Sequence, residues 1–131
     1  PGITISPKVN NPRHFDITLQ GPKGSCFEEG VFKLELFLSD EYPMVPPKVH
    51  FLTRIYHPNV DRVGRICLDI LKDKWSPALQ MDKVCLSIQL LMATPEPNDP
   101  LDPTIAAIWK KDTKTATKTA TEWTRKYAGA H

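Results

Sequence analysis

The chain has 131 residues, enough for one domain (1–131) with a real core, and carries a formal charge of +2 from 17 basic and 15 acidic side chains. A composition of 40% apolar and 24% charged residues excludes a disordered chain, and the even spread of Lys and Arg argues against a nucleic-acid partner. No run of about 18 apolar residues exists and no apolar leader precedes Ile3, so no membrane association is expected.

Residues 3–9 (ITISPKV) form a weak first strand, which Pro7 confines to an edge. In 14–20 (HFDITLQ), Phe15, Ile17 and Leu19 alternate with polar residues, the pattern of a half-buried strand. Turn residues follow in GPKGS, and 31–38 (VFKLELFL) alternates again. Phe32, Leu34, Leu36 and Leu38 face inward there, so Val31, Lys33, Glu35 and Phe37 face outward. Residues 48–53 (KVHFLT) make a fourth strand. The short connections predict an antiparallel meander with one packed face. Proline clusters at 42–47, 57–59 and 94–103 mark rigid, non-helical connections.

The remainder reads as helices. Val84, Ile88 and Leu91 fall on one stripe after an Asp82 N-cap, and Pro95 enforces the stop. Asp102 then Pro103 is a cap and first-turn signal for a short helix carrying Ile105, Ile108 and Trp109. Asp112 caps a last helix in which Ala116, Ala120, Trp123 and Tyr127 recur at helical steps. Four strands followed by helices define an α+β domain, with the helices on the apolar face of the sheet.

Residues 54–81 are too long for an ordinary connection and too apolar to be disordered, which marks an ordered, functional segment. Cys67 lies in it. The three cysteines, Cys26, Cys67 and Cys85, are odd in number and show no metal-ligand spacing, so free thiols in a reducing cytosol or nucleus are expected, and no metal. Cys85 on its helix, and Cys26 before Phe27, read as small buried hydrophobes. For Cys67 to be a hydrolase nucleophile it needs a histidine base. His57 lies inside a Pro-Asn turn where its ring is expected to bond backbone. His14 and His50 sit in strands, and His131 is terminal.

At this point the residues carry a resemblance. YPMVPPKV, HPNVDRVGRICLDIL and WSP, at these relative spacings, are similar to the core of the ubiquitin-conjugating enzyme family, and His57-Pro58-Asn59 with Cys67 eight residues on is the most specific part. The resemblance implies that Cys67 accepts ubiquitin as a thioester from the activating enzyme and passes it to a lysine amine. Asn59 is the implied amide donor to the oxyanion. Asp61 and Asp99 match positions that orient and activate the lysine, with Asp69 a weaker candidate. No cofactor is implied, because ATP is used by the activating enzyme. The family begins with a helix ahead of the first strand. Pro1 starts beyond it and no initiator Met is present, so a trimmed chain that loads poorly is expected. A non-catalytic ubiquitin-binding variant is the alternative, against which Cys67 itself speaks, and a thiol hydrolase is the weaker one.

FKLELFL, KDKWSPALQ and Met44 narrow the resemblance to the branch that pairs with a ubiquitin-conjugating-enzyme variant and builds chains through ubiquitin's lysine sixty-three. Glu35 and Phe37 are then expected on the variant-docking face, an outward aromatic beside a charge being a common anchor. Met44, Ser76 and Pro77 are expected to form the patch for RING-type ligases. Two positions depart from the branch: Glu29 stands where a turn glycine is common, and His50 where an arginine is usual.

Overall fold

Alternating residues in the first half and helical steps in the second build the molecule that the sequence predicts, here as a computed structural model describing residues 2–129. Four strands, β1 (Ile3–Lys8), β2 (Asn11–Gln20), β3 (Val31–Phe37) and β4 (Lys48–Phe51), pair antiparallel in chain order. Three helices follow, α1 (Met81–Ala93), α2 (Pro103–Lys111) and α3 (Thr113–Tyr127).

The register of β3 is as expected. Phe32, Leu34 and Leu36 are at most 1% exposed and meet Ile17 and Leu19 of β2 on the same face. Val84, Cys85 and Ile88 of α1, Trp109 of α2, and Ala116 and Ala120 of α3 close the core over them. At roughly 2 kcal/mol for each fully buried large apolar side chain, this layer is the main stabilising term. α1 lies across β1 and β2, while α2 packs on α3.

Three local readings change. Leu38 lies past the end of β3 and is only partly buried. Asp82 is not the N-cap of α1: the cap lies two residues earlier, at Gln80, with Met81 packed on the core, and Asp82 complements the helix dipole from the first turn. On α3 the third buried position is Thr124 rather than Trp123. Its hydroxyl donates to the Ala120 carbonyl at 2.8 Å, which lets a polar residue sit in the core. The expected caps Asp102 and Asp112 do accept from Ile105 N–H and Thr115 N–H.

Two backbone positions explain how the long connection is held. Gly64 has φ 90°, and a Cβ there would stand 2.0 Å from the Phe51 carbonyl oxygen, so only glycine lets the 59–67 turn lie against the end of β4. Glu29 has φ 70°. The turn therefore keeps the glycine's left-handed shape without the glycine, at a cost of about 1 kcal/mol.

Candidate active site

The chain leaving β4 runs inward, and residues 55–60 are all buried. It then folds back on itself, with Val60 opposite Ile66 and the Cys67 N–H donating to the Asn59 carbonyl at 2.9 Å. A single 3₁₀ turn, Asp69–Leu71, follows the cysteine. This pairing is why the tripeptide and Cys67 share one end of the molecule although eight residues separate Asn59 from the sulfur in sequence.

Each residue of the tripeptide is tied to a different part of the C-terminal half. His57 is 0% exposed; its Nε2–H donates to the Leu91 carbonyl (2.9 Å) and its Nδ1 accepts from the Asn59 N–H (3.0 Å). The carbonyl of buried Pro58 accepts from Leu101 and Asp102, just ahead of α2. The Asn59 side chain, 1% exposed, donates both Nδ2 hydrogens, to the carbonyls of Glu96 (2.9 Å) and Asp99 (2.7 Å), and its Oδ1 accepts from Glu96 N–H (2.9 Å). The expectation that His57 bonds backbone is met, and with both nitrogens used it is no base. Among the described residues no histidine lines the groove at Cys67.

Burial pushes His57 down to about 4, against the weaker opposing effect of its bond to Leu91. The unfolded chain takes up this proton near pH 6.5 and the folded chain does not until about 4. The contribution to stability is therefore complete above pH 6.5 and is lost as pH falls through that window. From pH 7 to 5 the loss amounts to about 2 kcal/mol. Urea denaturation at the two pH values is expected to show this drop in the wild type and a drop smaller by that amount in His57→Gln. Equal drops would mean that His57 titrates normally.

Cys67 is half-buried and opens on a groove with Asn59, Asp69, Leu90, Leu91 and Asp99. Its Sγ lies 3.5 Å from an Asp99 carboxylate oxygen and 3.2 Å from Lys72 Nζ. Lys72 is held above its ordinary range by the hydrogen bond to this sulfur and by the charge attraction that goes with it, so it stands there as an ammonium. Sequence reading missed Lys72. Its signal was the KDK run after the cysteine, which the 3₁₀ turn swings back to the sulfur.

The other two thiols differ. Burial pushes Cys85 (0% exposed) and Cys26 up to about 11, so neither is a ready thiolate near neutral pH. Asp61 does not join the Cys67 groove and lies instead in a neighbouring cleft with Asp102 and Ile105. Burial pushes its carboxyl up, but bonds from Arg65 N–H (2.8 Å), the Arg65 guanidinium (2.6 Å) and Val63 N–H outweigh that and hold it below the usual range.

Away from the sulfur, Trp75 Nε1–H donates to the Pro43 carbonyl at 3.0 Å and so brings the Ser76-Pro77 loop beside Met44, which is 75% exposed. On the outer face of the sheet Phe37 is half-buried rather than bare: His14 and His50 stack on it, and both reach Glu35.

A groove thiol beside Asp99, its N–H tied to a buried His-Pro-Asn tripeptide, is the arrangement that the family resemblance implies, and the family profile described as "Ubiquitin-conjugating enzyme" matches residues 1–124. The chain belongs to the ubiquitin-conjugating enzyme family. Ubiquitin-conjugating enzyme E2 N of Drosophila melanogaster is 58% identical over 98% of this chain and 85% of its own length. Ubiquitin-conjugating enzyme E2 13 of Schizosaccharomyces pombe is 59% identical over 98% and 86%. The solved E2 domain of a Toxoplasma gondii ubiquitin conjugating enzyme superposes with a TM-score of 0.94 at 38% identity, over 97% of this chain and 90% of that one. As a ubiquitin-conjugating enzyme it is a transferase that works through a cysteine thioester, with ubiquitin, the activating enzyme and ubiquitin ligases as its partners.

Proposed function

We propose that Cys67 is the residue that carries ubiquitin, and that this enzyme pairs with a ubiquitin-conjugating-enzyme variant to build chains through ubiquitin's lysine sixty-three. The observation that carries the first assignment is the Cys67 sulfur opening on a groove between Lys72 and Asp99. Support for the second comes from the FKLELFL and KDKWSPALQ stretches and from the likeness to E2 N and E2 13.

In the charging step the Cys67 thiol gives up its proton to solvent and the thiolate attacks the ubiquitin carbonyl on the activating enzyme. The activating enzyme's own thiolate leaves, an exchange that needs little acid–base help. The Lys72 ammonium, 3.2 Å from the sulfur, is placed to donate to it as Cys67 departs. In the transfer step a neutral lysine amine attacks the thioester carbonyl, the oxyanion collapses, and Cys67 leaves. Asp99, 3.5 Å from the sulfur, is placed to accept a hydrogen bond from the incoming amine and to take its proton. We assign lysine activation to Asp99 ahead of Asp61, whose carboxylate is spent on Arg65 and Val63 and whose part is to hold the turn. Asn59 serves transfer by fixing the loop that carries Asp99. Donating to the oxyanion as well requires it to release one of its two carbonyl partners. Met44, Ser76 and Pro77 form the patch for a RING-type ligase. The enzyme needs no cofactor of its own, and its three free thiols suit the cytosol and nucleus.

Glu35 and Phe37 are the centre of the variant-docking face. A buried aromatic anchor contributes about 2 kcal/mol or more, over tenfold in affinity. Phe37→Glu adds a carboxylate two residues from Glu35 on the same strand face without touching Leu34 or Leu36. Charging of Cys67 is expected to survive while variant-dependent free chains disappear. Wild-type chain synthesis by the mutant at both limiting and saturating variant would sink the docking assignment. Loss of charging as well would show instead that Phe37 supports the fold.

A further inference from the structure

The outward face of the sheet holds a set of donors that the chemistry at Cys67 does not use. The antiparallel register places Asp16 opposite Glu35 and Glu35 opposite His50, a row across β2, β3 and β4. His14 stands two residues from Asp16 on the same face. His14 Nε2 bonds one Glu35 oxygen, and His50 Nε2 lies 3.7 Å from the other. His14, Asp16 and Glu35 each offer a ligand atom, all within 4.8 Å of one another. Phe37 stacks on His14 at 4.2 Å between centroids and on His50 at 5.9 Å, nearly parallel in the second case at 11°. His14 and Glu35 are largely shielded, with side chains 18% and 19% exposed.

We infer that His14, Asp16, Glu35 and His50 form a binding site for a zinc-class divalent cation on the outer face of the sheet. Two imidazoles and two carboxylates are the donor mixture of borderline metals, whereas magnesium and calcium take oxygen alone. Two carboxylates also balance a double positive charge. Tetrahedral zinc with ligand distances near 2.1 Å needs its donors about 3.4 Å apart. The His14, Asp16 and Glu35 donors draw in to that value from within 4.8 Å, and His50, which stands outside that group, joins by turning its ring from Phe37 toward Glu35. Lys8 stands 3.1 Å from Asp16 in an exposed pair, and such pairs yield easily. The ligands are spread from residue 14 to residue 50, so no sequence spacing announces the site; only strand register assembles it.

The test is a zinc titration of the isolated chain against a chromophoric chelator, followed by histidine-ring NMR and by cobalt substitution. One equivalent is expected to bind, shifting the ring signals of His14 and His50 and leaving buried His57 unmoved. Cobalt is expected to give a visible d–d band without a thiolate charge-transfer band. His14→Ala and His50→Ala should each weaken binding at least tenfold, and Asp16→Asn less. If His14→Ala loosens the sheet, as a thermal melt would reveal, His50→Arg and Asp16→Asn carry the test, since neither touches the core. Absence of stoichiometric binding, binding indifferent to these variants, or a thiolate band on cobalt would each overturn the site. Glu35 also belongs to the proposed docking face, but this readout uses no partner and stands apart from that reading.

Discussion

Cys67→Ala is expected to abolish the ubiquitin adduct that forms with activating enzyme, ATP and ubiquitin and that thiol reagents remove, while Cys26→Ala and Cys85→Ala retain it. The three thiols differ in what surrounds them. Cys85 is packed at 0% exposure between α1 and the sheet, and burial pushes both its thiol and that of Cys26 to about 11. Their loss removes a small hydrophobe and costs stability of about 1 kcal/mol each. Cys67 opens on a groove with an ammonium and a carboxylate against its sulfur. No other group there can form the thioester, so the expected loss of charging is complete. A reducible adduct persisting on Cys67→Ala would remove the assignment. Loss of charging in Cys85→Ala with an unchanged melting temperature would point the same way.

The second large effect falls on Asn59. Asn59→Ala leaves the Asp99 carbonyl and the Glu96 N–H of the 96–99 loop without partners, while the Glu96 carbonyl keeps the Asp99 N–H, and each orphaned part-buried group costs about 1 kcal/mol or more. A loss of about 2 kcal/mol in stability is expected. Transfer to lysine is expected to slow by at least tenfold, because the freed loop no longer holds Asp99 at the sulfur. Charging, which asks little of that loop, should survive at temperatures where the protein is folded. Hydrogen exchange at the Glu96 and Asp99 amides separates the two roles of Asn59. Accelerated exchange together with slowed transfer supports loop bracing. Slowed transfer with unchanged exchange would assign Asn59 to the oxyanion alone, and equal loss of charging and transfer would deny it a selective role in either form.

The sheet was legible because period-two alternation and register are the same statement: once Phe32, Leu34 and Leu36 are inward, Phe37 must be outward. The helices were legible from Asp102 and Asp112, whose caps are local chemistry. Asp82 misled because an acid in the first turn and an acid at the cap look alike in sequence, and packing of Met81 decides between them. At the site, Cys67 and the tripeptide were readable as a motif, and the resemblance they carry supplied what spacing could not. What the tripeptide holds was not readable. The partners of Asn59 are backbone groups 37 and 40 residues away, and backbone leaves no signature in residue type. Lys72 was missed because an exposed lysine in a charged run is ordinarily solvated, and one 3₁₀ turn makes it a neighbour of the sulfur. Phe37 was expected bare, and the two histidines that cover it come from adjacent strands.

The tripeptide that meets Leu91, Glu96, Asp99, Leu101 and Asp102 also imposes an order of events on synthesis. The ribosome delivers the sheet and Cys67 first, and the tripeptide's partners from Leu91 to Asp102 emerge later. Until residue 102 is free of the exit tunnel the nascent chain displays a thiol on a turn that lacks its C-terminal anchors, with Asp99 not yet held beside it. The chemistry is thus completed by the last third of the polypeptide, and a truncated product that stops short of that point can own the cysteine without owning the enzyme.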